Sequence, residues 1–286
     1  TGELPVPERF DDKNANWVEI WNDVFMQYSL KNGAYSPLTQ KNVDTGMGFE
    51  RMLTVINGLD DNYRTDLFWP IIEKIEELSG LKYGDKTDEE HKKEDGECWV
   101  DTRKKFRIIA DHMKAATVAI SDGVVPSNKG AGYVVRRLIR RAIVKANQLG
   151  IKDDFTSKLA DIIFEIYDGV YFSTVIPDST SVILSNSSVI PTSVEGSFDS
   201  KISPTVRQGS RGRNDIMAEL NKEEQKFKKT LVEGLKQIES KKDISGKDLF
   251  NLYQSFGIPL EISVEEFKRL GIEINNSTIK QYNNEL

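Results

Sequence analysis

The chain has 286 residues, 38% hydrophobic and 29% charged, with a net charge of -6, the balance of an ordinary globular protein of about two domains. No apolar run approaches the ~20 residues that span a bilayer, and the acidic total argues against general nucleic-acid affinity, leaving room only for a local basic patch. A single cysteine, Cys98, excludes an internal disulfide and fits a reducing, cytoplasmic setting; with only His91 and His112 beside it, no Cys/His metal site is expected. The chain starts at Thr1 with no signal-like segment after it, which reads as a piece of something longer.

Residues 17–28, "WVEIWNDVFMQY", have a strand period. Val18, Ile20, Asn22, Val24 and Met26 share one face; Trp17, Trp21 and Phe25 share the other. Apolar residues on both faces predict a strand inside a sheet covered on both sides, where Asn22 needs a hydrogen-bond partner or a ligand. "KNGAYSP" reads as a turn back into a second, antiparallel strand. That strand ends in "NVDTGMGFERML", with Gly46 and Gly48 flanking Met47 and Asp44 and Arg51 on either side. Glycine weakens a strand unless something approaches its backbone, so a bare face with one carboxylate and one guanidinium suits a flat ligand with a cation and a phosphate. A tight strand-to-helix turn with solvated charges fits the same residues. From Phe49, the spacing of Met52, Leu53 and Ile56 predicts a helix stopped at Gly58.

Helices follow over "DLFWPIIEKIEELSG", with Pro70 in its first turn, and over "KKFRIIADHMKAATVAISDG". The charged run "DKTDEEHKKEDGE", which holds His91, reads as a solvated loop. In "PSNKGAGYVVRRLIRRAIVKANQLG", Val134, Val135, Leu138, Ile139, Ala142 and Ile143 make one stripe and Arg136, Arg137, Arg140, Arg141 and Lys145 the other. From Gly123 to Lys152 there are seven Lys or Arg and no Asp or Glu, a single-sign stripe that suits a phosphate backbone. Tyr171 to Arg213 holds fifteen Ser or Thr in 43 residues and no helical period, so it reads as a long loop or a small β insertion. "NDIMAELNKEEQKFKKTLVEGLKQIESKK" and "SGKDLFNLYQSFG" return to helix. "SVEEFKRLG" predicts another, with Ser263 and Glu266 as a capping box.

In that order, "WVEIWNDVFMQY", "VDTGMGFERML", "NYRTDLF", "RIIADHMKAATVAISDGVVPSNKGAGYVVRRLIRRA" and "LFNLYQSFGIPLEI" resemble the alanine–tRNA ligase family of class II synthetases. The resemblance implies an α+β, mostly α chain: the C-terminal part of an antiparallel-sheet catalytic domain (1–58), then a helical tRNA-recognition domain (59–170 and 214–286) interrupted by the Ser/Thr-rich segment (171–213). It implies an aminoacyl-tRNA ligase whose parent uses ATP with Mg²⁺, alanine and tRNA(Ala). "DTGMGFER" is similar to class II motif 3. By that match Arg51 is catalytic and grips ATP phosphate, Gly48 floors the ATP site, Asp44 binds the substrate ammonium, and Asn22, Val24 and Gly46 complete the alanine pocket. Asn128 matches a reader of the G3:U70 pair, with Arg136, Arg137, Arg140, Arg141 and Lys145 on the phosphates around it.

Three departures from the family pattern stand out. Motifs 1 and 2 would lie upstream of Thr1, so the chain alone is expected to be inactive, and the family's zinc-bearing editing domain would lie beyond Leu286. Gln254 in "LYQ" stands where the family's second G3:U70 reader is an aspartate. An amide still donates and accepts but carries no charge. Residues from about Phe172 to Arg213 look foreign to the family. The competing expectation is a non-catalytic acceptor-stem-binding module or a carrier scaffold displaying that segment.

Overall fold

A computed structural model of the chain describes residues 18–84, 97–169, 172, 212–241 and 243–285, with no side-chain description for 97–100. Residues 85–96, with the loop around His91, and nearly all of the Ser/Thr-rich segment lie outside the described residues. The chain divides into two units, 1–69 and 70–286.

The first unit is a hairpin followed by a helix. β1 (Trp21–Lys31) pairs antiparallel with β2 (Ala34–Met47). Asn32 and Gly33 connect them, both at positive φ (51° and 80°), as a two-residue turn matched to strand twist requires. The register breaks between Met26 and Tyr28, just where Pro37, which has no N–H to donate, enters the ladder opposite Tyr28. α1 (Phe49–Ile56) follows and stops at Gly58, φ 63°. The two strands and their helix match expectation; the covered sheet does not. Among the described residues the sheet has two strands only, and Trp21, Val24, Phe25 and Val43 are exposed. The apolar alternation therefore marks two open faces, because side-chain period reports which residues want cover and not whether the cover is present.

The second unit is helical. α2 (Trp69–Ser79) carries Pro70 at its second residue, where the lost N–H would be unpaired anyway. α3 (Glu97–Ser121), α4 (Gly130–Gln148), α5 (Thr156–Ile166) and α6 (Arg213–Ser240) pack together through Phe106, Ile109, Met113, Ile139, Ile143, Leu159, Ile163, Leu220 and Phe227, all buried. α7 (Gly246–Phe256), α8 (Leu260–Arg269) and α9 (Asn276–Glu285) close the end, α7 against α6 and α9.

The capping box lies elsewhere than expected. α8 starts at Leu260 behind Pro259, so Ser263 and Glu266 sit inside the helix, both buried. Glu266 accepts instead from the side chains of Gln148 and Arg269. The box is at α7, where Ser245 and Asp248 cap one another reciprocally. Burial pushes the Asp248 carboxyl up, but hydrogen bonds from Lys241 and Ser245 outweigh it and hold it at about 2. A depressed carboxylate stabilises the fold above its unfolded pKa, and that contribution is lost as pH falls toward 2. Asp248→Asn is expected to cost about 0.5–2 kcal/mol at neutral pH and to flatten the loss of stability between about pH 4 and 2. Urea titrations at several pH values would show it; an unchanged acid limb would assign that slope to other carboxylates.

Candidate functional site

The hairpin register brings four of the predicted residues onto one face. Asn22 lies opposite Gly46, and Val24 opposite Asp44. Residues two apart on a strand share a face, so Asn22, Val24, Asp44 and Gly46 form a square on one side of the sheet. A Cβ added at Gly46 would meet nothing within 4 Å, so the square has a flat, open floor at that corner. The strand-to-helix turn is tied back to the chain just before β1. Gly48 N–H donates to the Ile20 carbonyl (2.9 Å), and Arg51 Nη1 donates to the Glu19 carbonyl (2.8 Å). Arg51 also closes on Gly48, where a Cβ would stand 3.1 Å from Arg51 Cδ. The guanidinium keeps further donors for a ligand, because one arginine carries five N–H groups. On the opposite face of the hairpin, Trp21 Nε1 donates to Thr45 Oγ1 (2.5 Å), diagonally across the two strands.

In the helical unit, Asn128, Arg136, Arg137, Arg140 and Gln254 line one cleft of about 380 Å³, with Tyr133, Tyr253 and the backbone around Gly257. Asn128 comes from the segment before α4 and Gln254 from the last turn of α7. A close backbone approach sets the position of Asn128: at Gly132 a Cβ would stand 2.3 Å from both Ser127 Oγ and the Val125 carbonyl oxygen. Only glycine lets α4 start against that segment. The Ser127 N–H donates to the Gly132 carbonyl (3.0 Å), which fixes the neighbour of Asn128. Tyr133 and Tyr253 meet edge to face, ring centroids 6.5 Å apart. Burial, and next the charge of Glu261, push the Tyr133 hydroxyl up, so it stays a neutral donor at physiological pH.

The basic stripe of α4 does not face solvent as a free row of cations. Arg140 is buried; its Nε lies 2.7 Å from Glu223 Oε1, and its Nη1 donates to the Gly257 carbonyl. Burial pulls the Arg140 guanidinium below its ordinary value, with the Glu223 charge acting against that. Arg136 Nε stands 3.5 Å from the same Glu223 oxygen, while its Nη1 donates to Asn128 Oδ1. Arg137 pairs with Glu261 (2.7 Å), and Arg141 and Lys145 both pair with Glu265, the latter at 2.9 Å. Burial pushes Glu265 up, but Lys145 and Arg141 hold its carboxyl below the usual range. No carboxylate within Gly123–Lys152 signals this; the partners come from α6 and α8.

A profile of the family described as tRNA synthetases class II (A) matches residues 4–184 and 198–285. The chain belongs to the class II (A) tRNA synthetase family. Among curated relatives, the alanine–tRNA ligase of Pediococcus pentosaceus is 37% identical over 273 residues, which is 95% of this chain and 27% of that protein. The ligase of Lactiplantibacillus plantarum is 38% identical over 262 residues (91% and 25%), and that of Thermotoga maritima 36% identical over 276 (95% and 26%). The chain thus spans about a quarter of the length of the curated relatives it matches.

The synthetase profile runs through residue 184 and resumes at 198, so only part of the Ser/Thr-rich segment stands outside it. Within this family member, sequence reasoning missed Glu223, Glu261 and Glu265, whose roles depend on helix packing. It also passed over Gly257, whose neighbour "FG" in "LYQSFG" was the available signal. Among the described residues, no group of three or more His, Cys, Asp and Glu converges as a metal site, and no helix is long and apolar enough to cross a membrane.

Proposed function

We propose that the chain is the part of an alanine–tRNA ligase that holds alanine and adenylate on its hairpin and reads the tRNA(Ala) acceptor stem with its helical cleft. The observation that carries the reading is convergence. Asn22, Val24, Asp44 and Gly46 share one open face, and Asn128 and Gln254, far apart in sequence, line one cleft. Asp44 offers a carboxylate to the alanine ammonium, Val24 and Gly46 bound a space for a methyl side chain, and Asn22 supplies an amide beside them. Arg51, anchored on Glu19, presents donors to ATP phosphate. These are positioning and charge-stabilising roles, the main means by which acyl-adenylate chemistry is accelerated.

The donor set here suits ATP without supplying a metal cage. Mg²⁺ bound through phosphates needs one or two carboxylates besides, and Asp44 is committed to the ammonium. Metal contacts and the rest of the activation site are therefore assigned to the parent outside this quarter, and the setting to the cytoplasm, where translation takes place.

In the full-length parent, Asp44→Asn is expected to lower kcat/KM for alanine about 10- to 100-fold, since an amide cannot offset the ammonium charge. Alanine-dependent ATP–pyrophosphate exchange reads it, and an unchanged value would remove Asp44 from the pocket. The 286-residue chain alone is expected to give no exchange, because the face carrying Asp44 is open.

A further inference from the structure

The contact between Arg136 and Asn128 sets a polarity. A guanidinium has N–H donors and no acceptor, so the Asn128 atom facing it is the amide oxygen. The oxygen is thereby turned toward Arg136 with one of its two lone pairs taken, and the amide NH₂ is what Asn128, an exposed residue, offers a ligand on the side away from Arg136. Arg136 is itself held from behind by Glu223, which is buried and also grips Arg140. Glu223, Arg136 and Asn128 thus form a chain that runs from the interior of the helical unit to the cleft. Gln254, on the other side, has no such partner among the described residues and can turn either end of its amide outward.

We infer that Arg136 is a positioning residue that fixes the polarity of Asn128, so that the cleft presents a donor at this point and selects a hydrogen-bond acceptor on the RNA. This rests on reading the cleft as the acceptor-stem site. It differs from the phosphate role the charge pattern suggests, because an arginine bonded to Asn128 and paired with Glu223 acts through its neighbours.

The test has two arms, both on the 286-residue chain. The first needs no RNA: the {¹H}–¹⁵N NOE of the Asn128 side-chain NH₂, identified by its loss in Asn128→Asp. The wild type is expected to give a value near that of the rigid backbone, and Arg136→Met a value near those of exposed asparagines. An unchanged NOE overturns the positioning role. The second arm measures affinity for acceptor-stem duplexes carrying G3:U70 or G3:C70 across a salt series. Asn128→Ala and Arg136→Met should each lose about 10-fold in discrimination, and the double variant should lose no more than either. Arg136→Lys, which keeps the charge beside Glu223, guards against a folding defect. It should retain the salt dependence yet lose most of the discrimination, because an ammonium lacks the planar fork. Equal weakening on both stems, a shallower salt slope in Arg136→Met, or losses that add with Asn128→Ala would overturn the inference in favour of a phosphate contact. A wild type that fails to discriminate would count against the acceptor-stem reading, and the NOE arm would still decide the role of Arg136.

Discussion

Replacing Glu224 with alanine is expected to cost about 3–5 kcal/mol of unfolding free energy. Glu224 is fully buried on α6, yet its carboxylate serves the start of α5. It accepts from the backbone N–H groups of Phe155 (3.2 Å) and Thr156 (3.0 Å) and from Thr156 Oγ1 (2.5 Å). Phe155, the residue at the α5 N-cap, makes no side-chain cap of its own. Lys228 completes the carboxylate's shell at 2.9 Å. Burial pulls the Lys228 ammonium down, but hydrogen bonds to Glu224 and Asp154 outweigh it and hold it above its ordinary value. Alanine would orphan two buried N–H groups at once, an uncompensated desolvation penalty, and would leave Lys228 only Asp154 and the Lys152 and Asp153 carbonyls. Urea unfolding followed by helical circular dichroism measures the loss. Glu233→Ala, in an exposed pair with Lys236, serves as control and should stay within about 0.5 kcal/mol. A Glu224 variant as stable as that control would show that α5 is capped by other means.

Arg140→Met should be of similar size, about 3–5 kcal/mol, because it leaves Glu223 charged and buried without its main partner. The guanidinium also lies over the Phe227 ring, 4.9 Å from its centroid, and fills the space at Gly257, where a Cβ would stand 2.0 Å from Nη1. Gly257 is left-handed at φ 67° and ends α7, three residues beyond Gln254. Losing the arginine therefore frees the turn on which Gln254 is carried. The double variant Arg140→Met/Glu223→Gln should recover most of the stability, since it removes the stranded charge as well. A double variant as unstable as the single would place the cost in lost packing instead.

The hairpin and the bare corner at Gly46 were legible because their signals are local: Asn32–Gly33 for the turn, alternating glycines for the bare face, Gly58 for the stop. The pairing of Val24 with Asp44 does not follow from the turn, since an unbroken ladder from Lys31 and Ala34 would set Val24 opposite Lys41; the break between Met26 and Tyr28 moves it to Asp44. The state of Arg140 was not legible. Its period places it in a polar stripe, and nothing near it in sequence announces a carboxylate on a helix that begins at Arg213. The α8 box failed for a different reason. Ser263 and Glu266 have the right spacing, but Pro259, φ -58°, already begins the helix one turn earlier. α5 escaped notice because its cap comes from another helix; α9 (Asn276–Glu285) escaped notice as well, although Asn275 Oδ1 accepts from Thr278 N–H (2.9 Å), a readable start signal.

The pairing of the α4 cations with Glu223, Glu261 and Glu265 changes what a polyanion would gain by arriving. A polyanion carries condensed cations, and a free basic surface that neutralises its phosphates releases them, which drives association through entropy and makes it fall steeply with salt. Here the neutralising charges are tethered to the protein and cannot diffuse away. A phosphate that takes Arg137 or Arg141 must displace a carboxylate that stays within reach and must then be rehydrated in place. Contact with Arg137 or Arg141 becomes an exchange of partners that leaves a carboxylate beside the phosphate, so each of these arginines adds less to binding than an unpaired cation would.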